Sequence, residues 1–118
     1  MILFRYMSTS AEFTDYVLDQ LAPVGIVHTS KMFSGVLLKV DNRQLGVIIE
    51  DILYFKVKEV ELQKKFKEMD SEQFSYVRKD KAEPVVIKNW WSVPEEILEN
   101  QSALVGLVYE VLLQDGGS

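Results

Sequence analysis

Three consecutive runs of alternating apolar residues, joined by very short connections, limit this chain to folds that contain an antiparallel sheet. The runs cover residues 36–40, 45–49 and 53–57. Asp41-Asn42 supplies turn-forming side chains after the first run, and a tight turn is expected at Glu50-Asp51 after the second. A period of two is typical of strands, and such short connections join only antiparallel neighbours. The pattern therefore predicts a three-stranded meander.

Helical periodicity flanks the meander on both sides. A first helix is expected from Ser10 to Leu21, capped by Thr9. A second helix follows the meander, with an internal Glu61–Lys65 pair on its exposed side. Its apolar face has the spacing i, i+4 and i+7 and consists of Leu62, Phe66 and Met69.

The remaining sequence predicts two more strands and the C-terminal helices. The strands run from Phe74 to Arg78 and from Val85 to Trp91, and Pro94 suits the first position of a short helix. Ser102 is expected to cap a last helix that ends near Leu113. The predicted fold is therefore a two-layer α+β arrangement, αβββαββα, with a five-stranded antiparallel sheet and the C-terminal helices packed on it.

Composition narrows the functional classes. The 118 residues, 47% of them hydrophobic, predict one domain over residues 1–118. The absence of cysteine excludes disulfides, thiolate zinc sites and cysteine nucleophiles. His28 is the single histidine, and the sequence has neither a G-x-S-x-G elbow nor a glycine-rich phosphate loop. We therefore expect no enzyme activity, no catalytic residue, no metal site and no cofactor.

Charge and hydropathy bear on partners and location. The net charge is −5, and residues 93–118 hold five acidic and no basic side chains. Such a chain lacks the positive field on which direct DNA binding depends. The longest apolar stretch, Ala103 to Leu113, is too short to span a membrane, and no signal peptide is visible. A cytoplasmic protein without membrane association is expected.

Four short motifs occur in a characteristic order over about 70 residues. They are S-K-M-F-S-G at residues 30–35, L-Y-F-K-V at 53–57, F-S-Y-V-R-K at 74–79 and W-W-S-V-P-E-E-I-L-E at 90–99. With this order and spacing the chain resembles the TfoX (Sxy) N-terminal domain family. Ser34 and Asp80 depart from the pattern, because the family usually has glycine at both places.

The resemblance implies a fold and a functional class. The implied fold is a two-layer α+β domain with an antiparallel sheet. The implied function is kinship with regulators of natural competence, which act as coactivators beside a cyclic-AMP-responsive transcription factor and are not known for catalysis. Full-length competence regulators carry a second, helical domain, so this chain is expected to be either a stand-alone member or a fragment.

Three groups of residues are candidates for partner binding. Each group also has a structural interpretation. The first would be a strand start that packs in the core, the second a solvated hairpin loop, and the third a pair of tryptophans of which one belongs to the core. Neighbouring strand residues face opposite sides of a sheet, so one tryptophan is expected to be exposed or covered by a helix. The candidates are Lys31, Met32, Phe33 and Gly35, the basic loop residues Arg78, Lys79 and Lys81, and Trp90 and Trp91.

The last helix has more apolar surface than a helix on a two-layer domain needs. Its polar residues form one narrow strip that repeats every four residues. We expect the surplus face to form a homodimer, with the N-terminal segment folding over it as the alternative. The residues expected to self-associate are Leu104, Val105, Val108, Val111 and Leu112.

Two functions remain open at this point. The first is a non-enzymatic interaction module that docks on a protein partner, with the transcription machinery as the candidate implied by the resemblance. The second is a small-molecule-binding domain with a pocket between the sheet and the helices.

Overall fold

The computed structural model describes residues 10–32, 35–77 and 83–114. Within these residues the chain forms six strands, four α-helices and one short 3-10 helix. The helices are α1 (Ala11–Gln20), the 3-10 helix (Ala22–Val24), α2 (Val60–Glu68), α3 (Glu95–Glu99) and α4 (Gln101–Leu112). The strands are β1 (His28–Met32), β2 (Gly35–Val40), β3 (Arg43–Ile49), β4 (Ile52–Lys56), β5 (Gln73–Val77) and β6 (Pro84–Ser92).

The strands form one antiparallel sheet in the order β1-β2-β3-β4-β6-β5. One face of this sheet packs against the helices. Apolar side chains from α1, α2, α3 and α4 join those of the strands in a single core cluster, in which Val17, Phe66 and Leu104 are fully buried. Burying this much apolar surface is the main favourable term in folding. The two-layer α+β fold with an antiparallel sheet is confirmed.

The prediction of five strands was wrong, because β1 is a sixth. Four of its five residues are exposed, so its sequence, H-T-S-K-M, shows no apolar alternation. The strand is nevertheless paired with β2 along its whole length, from His28 opposite Lys39 to Met32 opposite Gly35. Backbone hydrogen bonding to β2 defines this edge strand, and a hydrophobic pattern cannot show such bonding.

The two turns of the meander are confirmed. Asp41 and Asn42 have φ angles of 51° and 66°, and Glu50 and Asp51 have φ angles of 52° and 60°. Positive φ at both central residues is the signature of a type I′ turn, whose twist matches that of the strands it joins. The short connections therefore fix the register from β2 to β4.

The N-cap residues of α1 and α4 differ from the predicted ones. Ser10, not Thr9, caps α1, because its Oγ accepts a hydrogen bond from the backbone N–H of Phe13 at 3.1 Å. Thr9 lies outside the described residues. Asn100, not Ser102, caps α4 through its Oδ1 and the N–H of Ala103 at 3.2 Å. The last residue with extended backbone becomes the cap, and tertiary packing sets its position.

The predicted Glu61–Lys65 pair is replaced by two others. Glu61 lies 3.7 Å from Lys64, one position closer along α2. Lys65 reaches Glu110 of α4, with 2.6 Å between Nζ and Oε2. The helix periodicity placed Lys65 correctly on the outer side of α2, but only the packing of the two helices supplies its partner.

The β5–β6 hairpin bends where its register shifts. Gln73 pairs with Trp91, whereas the next residue, Phe74, pairs with Ile87. Three residues of β6 therefore have no partner opposite them in β5, and such bulges bend and twist the bulged strand. The Phe74 ring lies 5.2 Å from the ring of Tyr54, two strands away in β4. Strands two apart are separated by about 10 Å, and the two rings bridge this spacing on the face that carries none of the described helices, called here the helix-free face.

Candidate functional site

The helix-free face of the sheet carries a groove of about 710 Å³, which we call the sheet groove. None of the residues that line it belongs to a helix. They come from β1, β3, β5, β6 and the turn after β3: Met32, Val47, Ile49, Glu50, Phe74, Ser75, Tyr76, Val77, Ile87 and Trp90. Pockets of about 300–1,000 Å³ with apolar walls are typical binding sites for small ligands and peptide side chains.

Strand alternation explains why this face is apolar. Ile48, Leu53 and Phe55 of β3 and β4 belong to the core on the helix side. The intervening residues Val47 and Ile49 point the other way and line the sheet groove. Central strands with apolar residues on both faces are expected only where both faces are covered or one is used for binding.

Two lining residues of the sheet groove, Phe74 and Tyr76, belong to an aromatic cluster with Tyr54. Tyr54 and Phe74 meet edge to face with ring centroids 5.2 Å apart. Phe74 and Tyr76 are stacked with centroids 6.0 Å apart. Tyr54 is buried, whereas 43% of the Tyr76 surface is exposed. The cluster therefore runs from the sheet interior to the open side of the groove and presents flat apolar surface there.

One carboxylate is part of the sheet groove. Glu50 is the one charged residue among the described residues that line it. Burial raises the pKa of the Tyr54 hydroxyl, and the negative charges of Glu50 and Glu72 raise it further. An apolar ligand with a positive charge would complement Glu50.

The partner-binding candidates fall into three groups in the structure. Met32 and Trp90 line the sheet groove, and Lys31 is exposed beside it on β1. Phe33, Arg78, Lys79 and Lys81 lie outside the described residues. Gly35 and Trp91 are buried.

The two buried candidates have structural roles. Gly35 is in close contact with β3, because a Cβ atom on it would lie 2.3 Å from the carbonyl oxygen of Ile48. Trp91 is only 3% exposed and belongs to the core on the helix side, so it cannot present a surface to a partner. Its Nε1 is a buried donor without a hydrogen-bond partner. The two tryptophans do face opposite sides of the sheet, and Trp90 is the one on the helix-free face.

The residues expected to self-associate are largely used inside the molecule. Leu104, Val108 and Val111 are buried in the core, at most 4% exposed, because α4 packs against β3, α3 and the 3-10 helix. Val105 and Leu112 are half-buried. The surplus apolar face predicted for the last helix is therefore mostly covered by this chain's own residues.

The sequence reasoning missed Val47, Ile49, Tyr76 and Ile87 as residues of a site. The available signal was the run of five consecutive apolar or glycine residues in β3, from Leu45 to Ile49, which predicts burial of both faces of that strand. The contact of Phe74 in β5 with Tyr54 in β4 could not be predicted from the sequence, because it lies beside a register shift between β5 and β6 that no local pattern shows.

A second, much smaller crevice lies beside the C-terminal end of α4. Its cavity volume is about 10 Å³, room for about one water molecule. Lys56 lines it, and burial together with the neighbouring charge of Lys58 lowers the pKa of the Lys56 ammonium. The Lys56 Nζ donates to Gln44 Oε1 at 2.9 Å. We assign this crevice a structural role.

The described part of the chain lacks two further features. It contains no group of three or more histidine, aspartate or glutamate side chains that could hold a metal ion. Among the same residues, no helix is both long and apolar enough to cross a bilayer.

The fold and the groove together define a small α+β domain with helices on one face of the sheet and a ligand-sized apolar groove on the other. The chain belongs to the TfoX N-terminal domain family, whose profile matches residues 19–114. The resemblance carried by the four motifs is thereby confirmed. No curated protein matches the chain. Family membership supports a regulatory type of domain.

Proposed function

We propose that this chain is a non-enzymatic regulatory module that docks on a protein partner in transcription, as the competence and transcription regulators of its family do. The observation that carries the proposal is the sheet groove on a face without helices. The groove has aromatic walls and a carboxylate, and Tyr76 and Trp90 are of the residue types that dominate binding at protein interfaces.

Two features support a polypeptide as the ligand. The groove extends from β1 to β5, so it is long enough to accept several side chains of one segment. Its exposed members include Tyr76 and Val77, 43% and 70% exposed. Exposed aromatic and branched apolar side chains grouped around one groove are suited to contacts with apolar side chains of a partner.

The test is affinity capture from lysate of the source organism with a matched pair of variants. Tyr76→Ser removes an exposed ring from the groove, and Tyr109→Ser removes a comparably exposed ring, 47%, from α4. A transcription factor or RNA polymerase subunit should be captured by the wild type and by Tyr109→Ser, and lost with Tyr76→Ser. Equal capture by both variants, or hits unrelated to transcription, would contradict the proposal.

A small apolar molecule is the second candidate ligand, and the volume of the sheet groove favours it. The pocket lies on the helix-free face, not between the sheet and the helices as the sequence led us to expect. A cationic apolar metabolite should raise the melting temperature with concentration for the wild type but not for Trp90→Ala. A shift that persists in Trp90→Ala would place the ligand elsewhere.

A further inference from the structure

Ser10, the N-cap of α1, is bonded to a turn beside the sheet groove. The backbone N–H of Ser10 donates to Asp51 Oδ1 at 2.7 Å. Asp51 follows directly on Glu50, which lines the groove. Ser10 is therefore anchored at the turn between β3 and β4, one residue away from the groove wall.

Residues 1–9 have the length to follow the groove from this anchor. An extended chain spans about 3.3 Å per residue, so nine residues reach about 30 Å. The longest dimension of the molecule is 38 Å. A segment of this length that begins beside Glu50 can cross the sheet as far as β5.

The composition of this segment complements the groove. Six of the first seven residues, M-I-L-F-R-Y-M, are apolar or aromatic, and Arg5 is the only charged residue among the first nine. The groove offers apolar walls and one carboxylate, Glu50, among the described residues that line it. Docking would place the single cation of an apolar segment near this carboxylate.

We propose that residues 1–9 of this chain dock in the sheet groove and compete there with an external partner. The tether makes the docking intramolecular, and short tethers give effective concentrations in the millimolar range, so weak contacts suffice. While the segment occupies the groove, a partner that needs the same surface binds with lower apparent affinity. Docking therefore regulates the access of a partner to the sheet groove. This competition rests on the proposed function of the groove as a partner-binding surface.

A nitroxide label tests the docking directly in the full chain. The sequence contains no cysteine, so Ile2→Cys provides one thiol for labelling. Docking should broaden the NMR signals of the Trp90 indole N–H and of the Val47 and Ile49 methyl groups. Signals of Leu62 and Val108, in the core on the helix side, should broaden less than those of Trp90, Val47 and Ile49, because the sheet separates them from the groove.

A charge exchange provides the matched series. Glu50→Arg should lower the broadening at Trp90 about two- to fivefold, because it places two cations together. Adding Arg5→Glu should restore it, which a merely structural effect of Glu50→Arg would not do. The control is Glu61→Arg, an exposed carboxylate on α2, which should leave the broadening unchanged.

Three results would overturn the proposal. Broadening centred on Tyr109 and Leu113 would place the segment on α4 instead. Broadening that appears only between labelled and unlabelled molecules in a mixture would make a second copy the occupant. Sharp signals at Trp90 in the labelled wild-type background would exclude docking. These measurements use the purified protein alone, so the docking can fail while partner capture succeeds, and the reverse.

Discussion

At the scale of single residues, two glycines differ in whether the structure leaves room for a side chain. The effect of replacing a glycine on the free energy of unfolding therefore depends on its position. Gly46 lies in β3 under the backbone of β4, and a Cβ atom there would lie 2.0 Å from the carbonyl oxygen of Tyr54. Gly106 lies in α4, and a Cβ atom there would meet nothing within 4 Å. The same substitution should therefore have opposite effects at the two positions.

We predict that Gly46→Ala destabilises the protein by about 3 kcal/mol or more, because the backbone of β4 has to move away. Gly106→Ala should stabilise it by about 1 kcal/mol, because alanine favours the helix. Urea unfolding of the two variants beside the wild type measures both changes. A Gly46→Ala variant as stable as the wild type would show that the β3–β4 contact is looser than described.

Tyr54 gives a prediction for pH. Its folded-state pKa is raised above the ordinary value near 10 by burial and by Glu50 and Glu72. A raised folded-state pKa contributes stability that is fully present below pH 10 and is lost as the pH rises through the folded-state value. The stability of the wild type should therefore fall relative to Tyr54→Phe above about pH 10. Denaturant unfolding at pH 8 and at pH 11 checks this, and a constant difference would contradict the assigned burial.

At the scale of elements, one side chain joins the end of α4 to the segment between β4 and α2. Gln114 is 8% exposed, and its Oε1 accepts from the backbone N–H groups of Lys58 and Glu59 at 2.6 and 3.0 Å. Its Nε2 donates to the carbonyl oxygens of Lys56 and Val111, each at 2.8 Å. The amide thus satisfies backbone groups at the start of α2.

We predict that Gln114→Leu costs about 3 kcal/mol, because buried backbone groups lose their partners without access to water. Gln101→Leu is the control, since the Gln101 Nε2 makes only long contacts, 3.3 and 3.4 Å, from an exposed position. It should change the stability by less than about 0.5 kcal/mol. Thermal unfolding of the pair separates the two cases, and equal losses would show that Gln114 does not hold these elements together.

At the scale of the whole molecule, helix packing limits which residues of α4 are left for self-association. Val108 is fully buried, whereas 77% of Leu113 is exposed. Homodimer formation through this helix remains a proposal, and it would have to use the outer residues Tyr109 and Leu113 with the half-buried Val105 and Leu112.

We predict that Val108→Asp abolishes cooperative unfolding, because it buries an unpaired charge in the core. Leu113→Asp should keep the stability within about 0.5 kcal/mol and, if α4 forms the dimer, convert it to monomer. Light scattering over a range of concentrations, with circular dichroism as the check on folding, reports both. A folded Val108→Asp variant would contradict the packing of α4.

The sequence by itself determined the local structure and the family. Alternation over residues 36–57 specified the meander and its turns, because each strand has a buried face and each turn has the residues that its φ angles require. Helical spacing gave Leu62 and Phe66 as the buried face of α2. The four motifs gave the family, and the matched residues 19–114 confirm it.

Only the tertiary structure decided where these parts meet. Strand β1 is held by backbone pairing that leaves no mark on hydropathy, and the contact of Lys65 with Glu110 joins residues 45 positions apart. The sheet groove combines residues of β1, β3, β5 and β6, and Phe74 in its lining contacts Tyr54 two strands away. The assignment of Trp91 to the core and Trp90 to the groove likewise follows from the side on which the helices pack. Periodicity fixes which residues share a face, but not which face is covered, since coverage depends on long-range contacts that no local pattern encodes.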